Sequence, residues 1–426
     1  MKIKGKFLFK RKIQKESAAL PDESRKEQDM RIETYDMTQP EQKEMPDDLW
    51  SRIKKHRHLI RNRNATAMAI LFVLLFGTGA FLFFHTGSTY ITVERVERND
   101  ADGTQYLEFG SYFLKYSPDG VSCVDSRSKV IWSSTFTMET PVVDVCESTA
   151  AVADQGGTQV YIFTQDGLKG QFQTLLPVEK VRVAKQGVVA VILEDEDVTW
   201  VNFYDYTGTL IAENRTTLED FGYPVDLDLS ADGMKLAVSY LRVAENKIST
   251  HIAFYNFDSA GQVELNNQVS ELNCDNVIAP QIVFMDNNTA VAFRSDGFTV
   301  FSGRQAPKEK KTVQFDQEIL STFYDGSRIG FVFEADDSDH KYQMQVYNTG
   351  GKKIMQRYFD LEYDSISIQK EQIVMFNEQE FAVYKLNGQK KFQGKYRKPI
   401  ENILDVRGFR KYMVLTQDSA DLIRIG

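Results

Sequence analysis

The hydrophobic pattern along this chain falls into three regimes. Over residues 65–84 (ATAMAILFVLLFGTGAFLFF) no position is charged, and only Thr and Gly interrupt the apolar run. Twenty helical residues rise roughly 30 Å, the thickness of a bilayer's hydrocarbon core, whereas the apolar part of a secretory leader is about 7–15 residues. The run predicts one membrane-spanning helix over 65–85. Before it lies a polar tail of 64 residues. After it, short runs of Val, Ile, Phe and Tyr alternate with turn residues, with no sustained apolar spacing at a helical period, so the remainder predicts strands.

Those strands repeat. The pattern is a strand, a tight polar turn with Asp, Asn or Gly, then a second strand: GVSCVDSRSKVIW (120–132), VYIFTQDGLKGQF (160–172), VNFYDYTGTLI (201–211), IAFYNFDSAGQV (252–263), FTVFSGRQ (298–305), MQVYNTGGKKI (344–354) and FAVYKLNGQKKF (381–392). From Asp125 to Asn387 the turns average about 44 residues apart, close to the 40–45 of four-stranded propeller blades. Two further strands precede each copy. The expected fold is an all-β, eight-bladed β-propeller, with seven blades the alternative count. Its blades begin near Tyr106, Pro141, Pro177, Gly222, Ala279, Ile319, Tyr363 and Ile400. The eighth lacks an outermost strand, and residues 90–96 (YITVERV) form a β-branched run free to supply it. The domain plan is thus a tail over 1–64, the helix over 65–85, a linker and closing strand over 86–105, and the propeller over 106–426.

Charge orients this plan. Arg52, Lys54, Lys55, Arg57, Arg61 and Arg63 precede the apolar run, and acidic residues dominate just after it, so the positive-inside rule places the N-terminus in the cytoplasm and the propeller outside, at the cell membrane. The net charge of −9 divides unevenly: residues 1–64 carry 17 Lys and Arg against 11 Asp and Glu, and residues 86–426 carry 34 against 49. An acidic propeller disfavours nucleic acid as a partner. Residues 1–15 interleave basic and apolar side chains, suited either to an anionic leaflet or to solution. Residues 17–48 have the composition of a disordered segment, and 47–63 predict a short helix running into the membrane.

The turn-flanked motif ending in Lys129, Val130, Ile131 and Trp132 resembles the repeat of quinoprotein-type (PQQ-like) propellers. The whole layout is similar to an uncharacterised family of membrane-anchored propellers in Gram-positive bacteria. The resemblance implies the fold and the anchor, and carries over no functional residue.

Candidate chemistry is sparse. His251 and His340 are far apart in sequence and both are expected beside loops, so no metal constellation follows. Cys123, Cys146 and Cys274 suit buried small hydrophobes, with a Cys123–Cys146 bridge the weaker alternative. Trp132 and Trp200 suit packing rather than a cofactor platform. No catalytic residue, cofactor or metal is expected. What stands out is charge placement. Glu194, Asp195, Glu196 and Asp197, and Glu334, Asp336, Asp337 and Asp339, fall between second and third strands, where Asp119, Asp154, Glu245, Asp296, Glu378 and Asp418 occupy the other blades. These loops share one face, the candidate partner face. Turns on the opposite face carry Lys352, Lys353, Lys390 and Lys391, with Lys235, Arg407, Arg410 and Lys411, and are expected to look at the lipid bilayer. The expected function is a non-catalytic binding or scaffold module of the cell envelope with an envelope protein partner. The alternative is a ligand sensor or quinoprotein-like enzyme using the central channel.

Overall fold

The computed structural model describes residues 47–84, 86–98, 100, 103–195, 198–217, 221–244 and 247–426. The expected disorder of the tail falls outside them, as do Glu196, Asp197 and Glu245. Helix α1 (Asp47–Phe84) joins the expected pre-membrane helix and the apolar run into one element. Its segment Asp48–Gly77 includes an 18-residue stretch of mean hydropathy 1.4 and is long and apolar enough to cross a membrane.

Among the described residues, thirty-two strands, β1 to β32 in chain order, make eight antiparallel four-stranded sheets. The innermost strands are β2 (Gln105–Phe109), β6 (Pro141–Cys146), β10 (Val178–Val183), β14 (Tyr223–Leu229), β18 (Gln281–Asp286), β22 (Ser321–Tyr324), β26 (Ser365–Gln369) and β30 (Asn402–Asp405). Each lies within two residues of an expected blade start. Middle strands are packed on both faces and read as continuous apolar runs, as in β19 (Thr289–Arg294, TAVAFR), whose four central residues are all buried. Outermost strands are covered on one face only, and β5 (Val130–Thr135) alternates accordingly.

Eight hydrophobic clusters fill the eight interfaces between neighbouring blades, so the ring is held by side chains rather than by hydrogen bonds between sheets. Trp132 stacks on Phe163 of the next blade at 5.3 Å and donates to the Gln165 carbonyl, which is the packing role its motif position implied. The polar turns are built on side-chain capping. Asp125, Asp205 and Asn348 each accept amides two and four residues on, at 2.8–3.0 Å. In seven blades the third strand slips register against the fourth at the same place, beside that turn, a bulge that sharpens the twist a radial blade needs.

The eighth sheet has the order β1-β32-β31-β30, in which β1 (Tyr90–Glu97) pairs antiparallel with β32 (Ser419–Ile425), from Tyr90 opposite Ile425 to Glu97 opposite Ser419. Arg95 clasps Asp421 through two hydrogen bonds of 2.8 and 2.5 Å, and Tyr396 adds a third at 2.6 Å. The Asp421 side chain is fully buried. Burial alone would raise its pKa, but the bonds from Arg95 and Tyr396 outweigh burial and hold it below the usual carboxylate range.

Candidate functional site

Inner strands of a propeller present backbone edges that no sheet partner takes. Here, polar side chains of one blade cap the amides of the next. Asp144 on β6 accepts the Val183 amide at 2.7 Å, and Asp226 and Asp228 on β14 accept those of Ile282 and Phe284 at 2.9 and 2.6 Å. Gln369 does the same for Asp405 at 2.6 Å, while donating to the Ile403 carbonyl. Lys180 and Arg182 on β10 reach Asp226 at 3.0 and 3.1 Å.

Asp144, Arg182 and Asp228 meet in a cavity of about 390 Å³, whose wall also includes Cys146, Phe284 and Tyr324. Burial pushes the Asp228 carboxyl up to about 7, against the pull of Arg182, whose Nε lies 3.7 Å from Oδ1. Burial also raises Asp144, and it moves the Tyr324 phenol to about 12. A second cavity of about 450 Å³ lies where Glu108, Lys370 and Asp405 approach one another, with Lys370 paired to Asp405 at 3.1 Å. Among the described residues, no group of three His, Cys, Asp or Glu side chains could hold a metal ion.

The structure brings the acidic loops onto one face, since each connects a second strand to a third, but it occupies most of them. Glu194 takes a hydrogen bond from Tyr223, Asp154 caps the amides of Glu139 and Thr140, Asp296 is chelated by Arg294, and Asp418 pairs with Lys398 at 2.7 Å. The loop over 334–341 is different. Glu334, Asp336, Asp337 and Asp339 are all exposed. Asp336 accepts from Tyr358 at 2.6 Å and Asp337 from His340 at 3.1 Å, which leaves Glu334 and Asp339 facing solvent. Asp360 and Glu362 of the following turn reach the same loop, through the Lys341 amide and ammonium.

On the opposite face Lys352 and Lys353 are exposed, while Lys390 and Lys391 are half-buried. Lys235 does not belong to that face's surface: it is buried at 4% exposure, since the turn before β15 (Lys235–Ala244) folds over it. His251 also departs from its expected place beside a loop. It lies inside β16 (Lys247–Asn256), paired on both sides, with its ring against Phe221 and Tyr240. All three cysteines are free. The channel carboxylates are not among the sites expected from the sequence, although the alternation in VEKVRV (178–183) and YPVDLDL (223–229) puts Lys180, Arg182, Asp226 and Asp228 on one side of innermost strands.

The chain belongs to the Family of unknown function (DUF5711), whose model matches residues 84–425. No curated protein matches it in sequence. In structure it is similar to BamB from Moraxella catarrhalis, 11% identical over 79% of this chain and 100% of that one, with a TM-score of 0.48. It is also similar to Hsv2p from Kluyveromyces lactis, 12% identical over 69% and 97% at 0.43, and to BBS1N in complex with ARL6DN, 9% identical over 80% and 98% at 0.40. These likenesses concern fold, on which many functions are hosted.

Proposed function

We propose that this protein is a single-pass membrane protein with a cytoplasmic N-terminus, and that its propeller is a non-catalytic binding or scaffold module of the cell envelope. Helix α1 and its basic N-terminal flank support the anchor. The observation that carries the binding role is the 334–341 loop, where a rigid blade holds exposed carboxylates that internal pairing does not consume. A rigid ring with a solvent-facing acidic loop suits a basic protein surface. The test is photo-crosslinking in cells from a probe placed at Ser338, compared with Glu334→Gln/Asp339→Asn. Loss of a defined adduct on neutralisation supports the reading, and an adduct pattern indifferent to it rejects the loop as the partner site.

A second reading, a small ligand taken in the central channel, draws on the cavity lined by Asp144, Arg182 and Asp228. Mass spectrometry of the denatured purified protein tests it, since a stoichiometric small molecule released only from wild type, and not from Arg182→Met, is the supporting result.

A further inference from the structure

The face opposite the acidic loops carries three features that converge on one ligand chemistry. The first is a cluster of cations that lacks carboxylates. Lys391, at the start of β29 (Lys390–Lys395), is flanked by Arg410 and Lys385. Burial first, and then the like charge of Arg410 and Lys385, lower the Lys391 pKa. Among the described residues neither Lys391 nor Arg410 forms an ion pair, and Arg407 and the exposed Lys352 and Lys353 share the face without one. Several acids on this face are spent locally, since Asp125 and Asp205 cap amides of their own turns and Asp325 caps two amides and binds Arg328, whereas the exposed Asp166, Asp258, Glu264 and Glu371 lie in the turns of other blades, outside the eighth.

The second feature is apolar. Phe409 is 80% exposed at the tip of the turn between β30 and β31 (Lys411–Thr416), next to Arg410. That turn is shaped to project it, because Gly408 and Arg410 both take positive φ, 133° and 55°. Half a ring away, in the fourth blade's outer turn, Val263 and Leu265 are 83% and 85% exposed. Blades four and eight lie across the ring from each other, so a flat apolar boundary touching both would meet the whole face.

The third is where the chain enters. The Thr86 hydroxyl donates to the Lys390 carbonyl, the Gly87 amide donates to that of Lys391 at 2.9 Å, and the Gln393 amide donates back to Gly87 at 3.1 Å. Gly87 is needed there, since a Cβ would land on the Gly426 carbonyl oxygen. The apolar segment ends at Phe84, two residues before Thr86.

We propose that this face is a docking surface for the anionic phospholipid bilayer, with a lipid phosphate seated between Lys391 and Arg410 and Phe409 entering the acyl boundary beside it. The proposal rests on the membrane-anchored reading above. It adds that the propeller lies flat on the lipid with its acidic loops turned away, rather than tumbling on its tether. Basic residues near an anionic surface each favour the docked state about fivefold, less as salt screens them.

The test uses the full chain in nanodiscs of phosphatidylcholine alone or with phosphatidylglycerol, each doped with a head-group nitroxide lipid, in a Cys146→Ser background. A fluorophore is placed on Ser259→Cys, across the ring on the docking face, or on Glu378→Cys, on the acidic face. Anionic lipid should increase quenching at 259 and leave 378 unchanged. Lys391→Glu/Arg410→Glu should lower the docked-to-free ratio at least about 25-fold and abolish the increase. Phe409→Ser, at an exposed tip where folding is not at stake, should weaken it. Equal quenching at 259 in both lipids, or an anionic response that survives the charge reversals, overturns the docking surface. Inorganic phosphate that abolishes the response without added salt effect would assign the site to free phosphate and also overturns it. Failure of the chain to enter discs of either composition sinks the anchor itself, an outcome distinct from an anchored chain whose label ignores lipid charge.

Discussion

Replacing Asp228 by Asn tests the electrostatics of the central channel. The carboxyl sits in the wall of the cavity with 19% of its side chain open, accepts the Phe284 amide at 2.6 Å and has its pKa raised from 3.8 to about 7. A carboxyl whose folded pKa exceeds its unfolded value keeps its proton in the folded state after the unfolded chain has lost it. Its contribution therefore turns unfavourable as pH rises from about 4, and the penalty is complete above about 7. At about 1.4 kcal/mol per pH unit the whole displacement is on the order of 4 kcal/mol. That displacement already contains the pull of Arg182, and water at the cavity wall and local relaxation reduce the cost of the charge, so the expected net gain is about 1–3 kcal/mol. Asn keeps an oxygen for the Phe284 amide, and Arg182 retains Asp226, so closure of the inner strands is preserved. Urea unfolding of the full chain in detergent, followed by Trp fluorescence at pH 5 and pH 8, should show Asp228→Asn more stable than wild type by a clearly larger margin at the higher pH than at the lower. A variant less stable than wild type at pH 8 would refute the reasoning, because it would mean that Asp228 is ionised and favourably paired rather than held against its burial cost.

Two further outcomes bear on the ring. Arg95→Ala should cost about 2–4 kcal/mol by leaving the buried Asp421 without its cation, and Asp421→Ala should cost a similar amount by stranding the Tyr396 hydroxyl; a double-mutant cycle should show the two costs overlapping strongly. Because the folded pKa of Asp421 is depressed, this stabilisation is present above pH 3.8 and lost as pH falls through the folded value, the opposite sense to Asp228. Gly170→Ala, in β9 (Gly167–Gln173), should destabilise by about 1–3 kcal/mol in the same urea assay, since the new methyl would land on the Tyr206 carbonyl oxygen of the next blade.

The blades were legible because each carries two local signals that tertiary context does not override. A buried middle strand needs a continuous apolar run, and the turn after the third strand needs an Asx cap such as Asp125, Asp205 or Asn348. Closure by residues 90–96 was legible for a different reason: seven blades had four strands, the eighth had three, and one β-branched run was unassigned. What the sequence did not disclose was which polar groups are already occupied. Glu194 and Glu334 look alike beside their strands, yet a tyrosine from the next blade's innermost strand satisfies only the first. Lys235 and Lys352 both follow a turn, yet the fourth blade's turn buries one and the sixth's leaves the other in water. His251 was misplaced because β15 and β16 run ten residues each, longer than the other strands, so that a position read as loop margin became strand interior.

The channel shows how far closure alone accounts for a polar cluster. An innermost strand needs one acceptor for each unpaired amide, and Asp144, Asp226 and Asp228 each supply it through Oδ2. The second oxygen of Asp226 is taken by Lys180 and Arg182. Oδ1 of Asp228, by contrast, stays 3.7 Å from Arg182, beyond hydrogen-bond reach, at the wall of a cavity that five consecutive blades line. Capping could be done by Asn or Gln without any buried charge, and Gln369 does so between the seventh and eighth blades. At 144 and 228 a titratable carboxyl thus stands where closure needs only an acceptor oxygen. If that carboxyl serves a ligand, Asp228→Asn gains stability and loses the ligand together, whereas if it serves only the ring the variant gains stability and loses nothing.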